Sequence, residues 1–236
     1  MRIVSNSLYW YFGLPVLIYV AFRGLSQYKK NGNMLDQYLG WVGVFFTLYL
    51  LTFIMGPIVS TDSTVLTYFF IVASILQYIG LLFLWFAVAR LYAPKSRLLR
   101  AFIVGFDMLL VIFASYVSIM ANLTIPTTIS HVSGVFWNIN YLPRPIFDIL
   151  SGVQYASVII IGAMFLYQST STTQRAKRIR TFNLGLILLL VGFVSCFRAY
   201  LIGIGDDFYQ VLIVGIGVIV LALIIRNVAS SKNTTA

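Results

Sequence analysis

The stretch VLTYFFIVASILQYIGLLFLWFAVARLY, residues 65–92, decides the fold. It stays apolar for longer than the roughly 20 residues a helix needs to cross the hydrocarbon of a bilayer. Its strongly polar interior group is Gln77, and it closes on Trp85, Arg90 and Tyr92. An aromatic-and-basic ending of this kind sits at a membrane–water interface. The run predicts a membrane-spanning helix, and the rest of the chain reads as its neighbours.

Composition points the same way. Of 236 residues, 60% are hydrophobic and only 9% charged, against about 25% charged in a soluble domain. The net charge of +10 would suggest nucleic acid in a soluble protein. Here the excess of Lys and Arg in the inward loops of membrane proteins accounts for it, and no nucleic-acid partner is expected. Glutamate is absent, and histidine and cysteine occur once each, as His131 and Cys196. That excludes an intrachain disulfide and a cysteine-rich metal site. No metal, cofactor or catalytic cluster is expected, and the chain reads as a non-enzyme. Lysines lie outside the apolar segments, at Lys29, Lys30, Lys95, Lys177 and Lys232. A retinal Schiff base needs a buried lysine amine, so a light-absorbing pigment is excluded.

Apolar segments at 8–22, 38–58, 65–92, 98–120, 147–167, 179–204 and 208–225 predict an all-α membrane protein, a seven-transmembrane-helix bundle forming one domain over 1–226. Residues 227–236 read as a cytoplasmic tail. Arg2 is followed by Ser5, Asn6 and Ser7 and then by an apolar run without a small-residue cleavage pattern, so the first span is expected to be retained. Arg23, Lys29, Lys30, Arg90, Lys95, Arg97, Arg100, Arg175, Lys177, Arg178, Arg180, Arg226 and Lys232 fall in one set of connections; the other holds Arg2 and Arg144 together with Asp62, Asp148, Asp206 and Asp207. The asymmetry predicts an N-terminus outside and a C-terminus in the cytoplasm, in a multi-pass plasma (inner) membrane protein. The long connection 121–146, with Thr127, Thr128, Ile129, Val135, Phe136 and Trp137 around Ser133-Gly134, predicts a short outer β-hairpin between the fourth and fifth helices.

Polar groups inside the apolar segments are the candidate site. Asp107 lies about two turns in from Arg100, and a carboxylate at the centre of a span costs roughly 2.5–3.5 kcal/mol on insertion scales. It is a candidate intramembrane polar switch, with Arg90 and Asn183 as partners at similar depth; a structural hydrogen bond between helices is the plainer role. Gln77, Tyr78, Gln154, Tyr155 and Arg198 are candidates to line an outward-facing ligand pocket. For each of them ordinary interhelical hydrogen bonding, and for Arg198 reaching out to the interface, is the competing account.

The runs Leu76-Gln77-Tyr78-Ile79-Gly80, Trp85-Phe86-Ala87 and Arg90-Leu91-Tyr92, with Val132-Ser133-Gly134-Val135-Phe136-Trp137 before the fifth helix, carry a resemblance. They resemble the seven-transmembrane sensor region at the N-terminus of many bacterial histidine kinases. The resemblance implies a bundle that receives a stimulus and passes it through its last helix to a cytoplasmic effector. No helical linker, kinase or cyclase follows Arg226, so the expected reading is a stand-alone sensor or receptor-like module. It would bind a small or lipid-like ligand between helices and signal through a separate cytoplasmic or membrane partner. A small-solute transporter and an accessory subunit of a larger membrane complex are the alternatives. The lipid bilayer is a partner in each case.

Overall fold

The computed structural model describes residues 8–60, 62–92, 96–120, 127–129, 135–137, 144–200 and 219. Six helices run through them: α1 (Leu8–Asn31), α2 (Met34–Val59), α3 (Ser63–Tyr92), α4 (Arg97–Met120), α5 (Arg144–Ser171) and α6 (Arg175–Tyr200). The chain divides into two compact units, Met1–Arg144 and Pro145–Ala236.

In the first unit α1 packs on α2, α2 on α3 and α3 on α4. The turn between α1 and α2 is only Gly32-Asn33. Gly32 takes φ +66°, a conformation glycine adopts without steric cost, and its N–H donates to the Tyr28 carbonyl at 2.8 Å. The Asn33 side chain then accepts from the Leu35 N–H at 3.1 Å and caps α2. The two helices close to backbone contact: a Cβ on Gly24 would sit 2.6 Å from Gly40 Cα, and one on Gly43 would sit 2.5 Å from Ala21 N. Asp62 opens α3, its Oδ1 accepting from Thr64 N–H at 2.7 Å and Val65 N–H at 3.2 Å.

α3 is the most enclosed helix of this unit. Leu66, Ala73, Leu81, Leu84, Ala87 and Val88 are buried along it, and Leu66 and Ala73 join Tyr49, Leu50, Phe53 and Ile54 of α2 in one core. Two aromatic rows on α2 mark its two halves. Tyr38, Trp41 and Phe45 meet Phe83 and Phe86, with Phe45 stacked on Phe83 at 5.4 Å and 13°. Tyr49 and Phe53 continue to Phe70 through edge-to-face contacts at 5.1 and 6.0 Å. Between α4 and α5, β1 (Thr127–Ile129) pairs antiparallel with β2 (Val135–Trp137), Thr127 opposite Trp137. A two-stranded ladder of this length organises no fold by itself.

In the second unit α5 and α6 cross at glycines. A Cβ on Gly162 would lie 2.8 Å from Leu189 N, and one on Gly185 would lie 2.8 Å from Gly162 O. Val158, Ile161 and Phe165 are buried there. The last turn of α5 folds its hydroxyls onto its own carbonyls, Ser169 onto Leu166 at 2.6 Å and Thr170 onto Tyr167 at 2.7 Å. This satisfies acceptors that a helix end leaves open.

These elements correct the seven-helix bundle expected from hydropathy. Among the described residues there are six helices, and two of them, over Met34–Gly56 and Thr64–Tyr92, are long and apolar enough to cross a membrane. The apolar runs of the second unit are shorter, Ala156–Ser171 and Thr181–Leu190. Charged residues that bound the apolar runs lie inside helices: Arg23, Lys29 and Lys30 in α1, Arg97 and Arg100 in the first turn of α4, and Arg175 to Arg180 in α6. Counting apolar runs cuts a helix at such residues, as at Phe22 in α1, and reads each apolar run as one span. The expected seventh span at 208–225 and the tail at 227–236 lie outside the described residues, Ile219 excepted.

Candidate functional site

Ser96 starts α4, its Oγ accepting from the Leu99 N–H at 3.2 Å. From there the helix has two unlike faces. Leu98, Phe102, Phe106, Leu109 and Phe113 recur at helical spacing and are exposed, whereas Asp107 is only 6% exposed. An exposed apolar stripe opposite a buried carboxyl inverts the pattern of a surface helix in water. It is the arrangement expected where polar groups turn away from lipid.

The Asp107 carboxyl differs from the other buried polar groups of the first unit. Thr47 donates to the Gly43 carbonyl at 2.7 Å and Ser74 to the Phe70 carbonyl at 2.9 Å, one turn back in each case. A hydroxyl can always find that acceptor, so it settles inside a helix at little cost. A carboxylate is acceptor only and finds no N–H in a helix interior. Asp107 Oδ2 is buried and has no hydrogen-bond partner among the described residues. A buried polar atom left in that state costs about 1–3 kcal/mol.

The sequence candidates fall in both units. Arg90 is exposed at the end of α3. α3 packs on α4, which opens with Arg97. Asp107 sits ten residues beyond Arg97, about 15 Å along the axis. Gln77 and Tyr78 are half-buried near the middle of α3. Asn183 is buried within the second unit, together with Ser157 and Ser169. Gln154 and Tyr155 are on α5 and Arg198 is on α6, and their side chains lie outside the described residues. Among the described residues no three His, Cys, Asp or Glu side chains come together to hold a metal.

Two functional-looking features were missed by reading hydropathy. One is the row Tyr38, Trp41 and Phe45, whose spacing of three and four residues signals a single helix face. The other is Gly24, Gly40 and Gly43, whose spacings of three and sixteen residues mark a helix pair in contact only after the turn at Gly32 is recognised.

No protein-family model, curated protein or solved structure matches this chain.

Proposed function

We propose that this chain is a multi-pass protein of the bacterial plasma membrane and works as a sensor or receptor-like module without enzymatic activity of its own. The observation that carries the proposal is Asp107: a carboxyl buried within an apolar stretch of α4, with one oxygen that has no hydrogen-bond partner among the described residues. An ionisable residue at membrane depth is a functional-site candidate by default, because insertion penalises it and packing does not require it. Binding of a small or lipid-like ligand among Asp107, Gln77 and Tyr78 would supply a partner. The helices that hold these residues would then shift between two packings, and a separate signalling protein would read the change. The likeness of the third helix to the sensor region of histidine kinases supports this reading.

Complementation of a deletion strain tests it. Asp107→Asn keeps shape and size, so loss of the phenotype with normal protein levels supports a chemical role for the carboxyl. Full complementation by Asp107→Asn, and by the joint substitution of Gln77, Gln154 and Arg198, would sink the sensor reading. The same buried carboxyl suits a proton-coupled small-solute transporter. Solute uptake by reconstituted vesicles, lost in Asp107→Asn, would favour transport over sensing.

A further inference from the structure

One end of the first unit carries a layered arrangement that the proposed sensing role does not use. Helix register fixes the layers. Gly24 faces Gly40 and Ala21 faces Gly43 across α1 and α2. Tyr38 meets Phe86 at 5.6 Å and Trp41 meets Phe83 at 6.0 Å across α2 and α3. Carried one turn outward, these pairings bring Lys29 and Lys30 of α1 level with the start of α2 at Met34–Asp36. They bring Arg90 of α3 to the same height. α4, which packs on α3, carries Arg97 and Arg100 in its first turn, five and eight residues after Tyr92. Lys29, Lys30, Arg90 and Arg97 are exposed and Arg100 is half-buried.

Five cations thus form a rim one helical turn, about 6 Å, beyond the layer of Tyr38 and Phe86. The one described carboxylate at this height is Asp36, whose Oδ2 accepts from Asn31 Nδ2 at 3.0 Å. The spacing matches a bilayer leaflet. The hydrocarbon core is roughly 30 Å thick and the full bilayer roughly 40–45 Å, which leaves about 5–7 Å of headgroup on each side. With the aromatic layer at the hydrocarbon boundary, where such rings concentrate, the cations stand at the height of the lipid phosphates.

We propose that this rim binds anionic phospholipid: Lys29, Lys30, Arg90 and Arg97 hold headgroup phosphates while the acyl chains lie along the aromatic layer. The inference rests on the membrane placement of the proposed function and is independent of what Asp107 does. Charge complementarity favours an anionic headgroup over a zwitterionic one, and the aromatic layer beneath favours a lipid over a free anion or an acidic protein.

The test uses the detergent-purified full chain, with phosphatidylglycerol, phosphatidylcholine and inorganic phosphate as three separate probes. Native mass spectrometry counts bound lipid and thermal unfolding reads the stabilisation. The expected result is that phosphatidylglycerol binds and raises Tm while the other two do not. The variant carrying Lys29→Gln, Lys30→Gln, Arg90→Gln and Arg97→Gln should bind it on the order of 100-fold more weakly, since each basic side chain near an anionic surface adds to the attraction. Asp36→Asn removes the opposing charge and should tighten binding, which keeps the test open if the fourfold variant fails to fold. Equal binding of phosphatidylcholine, equal stabilisation by inorganic phosphate, or unchanged affinity in both variants would overturn the proposal. So would a fourfold variant that keeps its lipid and loses only an acidic protein partner. Extraction of the protein from membranes by alkaline carbonate would instead overturn the membrane placement, and so separates the two failures.

Discussion

Gly24 of α1 and Gly40 of α2 meet with no room for a side chain on either: a Cβ on Gly24 would lie 2.6 Å from both Gly40 Cα and Gly40 N. Lipid tails are as apolar as leucine, so membrane helices gain little by burying apolar side chains against one another, and close backbone packing takes over that role. Gly24→Ala should destabilise the protein by about 1–3 kcal/mol, the usual range for overpacking, because the obstructing atoms are backbone and cannot rotate away. Gly105 on α4 is the matched control. A Cβ there meets nothing within 4 Å, and Gly105→Ala should stabilise by roughly 0.5–1 kcal/mol. Thermal unfolding in one detergent compares the two, and equal effects of the same sign would refute this account of the α1–α2 contact.

The stack of Phe45 on Phe83, 5.4 Å apart and nearly parallel, joins α2 to α3 through ring geometry as well as buried area. A double-mutant cycle with Phe45→Leu and Phe83→Leu should give a coupling of about 0.5–1.5 kcal/mol. Strict additivity would mean that the rings contribute through volume alone.

Asp62 lies at the start of α3, outside the apolar run Thr64–Tyr92. Hydrogen bonds from the Val65 N–H and then the Thr64 N–H hold its carboxyl below the ordinary value of 3.8. The folded value is the lower one, so the stabilisation is present above 3.8 and fades as pH falls through the folded value. Wild-type Tm should therefore drop on acidification below about pH 4 by more than that of Asp62→Asn, which caps a helix without titrating. Asp62→Ala should lower Tm at neutral pH. Parallel melting profiles for wild type and Asp62→Asn from pH 6 to pH 3 would count against the cap.

Asp107→Leu removes a buried oxygen that has no hydrogen-bond partner among the described residues. Its stability should hold or rise, by up to about 1–3 kcal/mol, while complementation is lost. A gain in stability with loss of function is the mark of a residue kept for its chemistry. A loss of both would assign Asp107 to structure alone.

Much of the first unit was legible in the sequence. The run at 65–92 is a single helix, α3, and Asp107 stood out as a lone charge amid apolar residues and is buried. The helix ends were misplaced, because α1 was expected to stop at Phe22 and α2 to begin at Tyr38. Arg23, Lys29 and Lys30 read as loop, yet they continue α1 to Asn31. The Arg23 guanidinium donates to Tyr19 Oη at 2.7 Å and lies over the Tyr19 ring one turn back. The local signal was Asn31-Gly32-Asn33, a helix stop followed by a helix cap.

The two-residue turn at Gly32-Asn33 bears on how the molecule is made. Because α1 and α2 fold back at once, partners such as Gly24 and Gly40 or Ala21 and Gly43 are close neighbours along the chain. Contacts between sequence neighbours form fastest, since little chain entropy is lost in closing the loop between them. This helical hairpin is thus able to assemble while later residues are still being synthesised. It would present α3 with a finished surface carrying both aromatic rows, so that nascent chain order and spatial order coincide along the first unit.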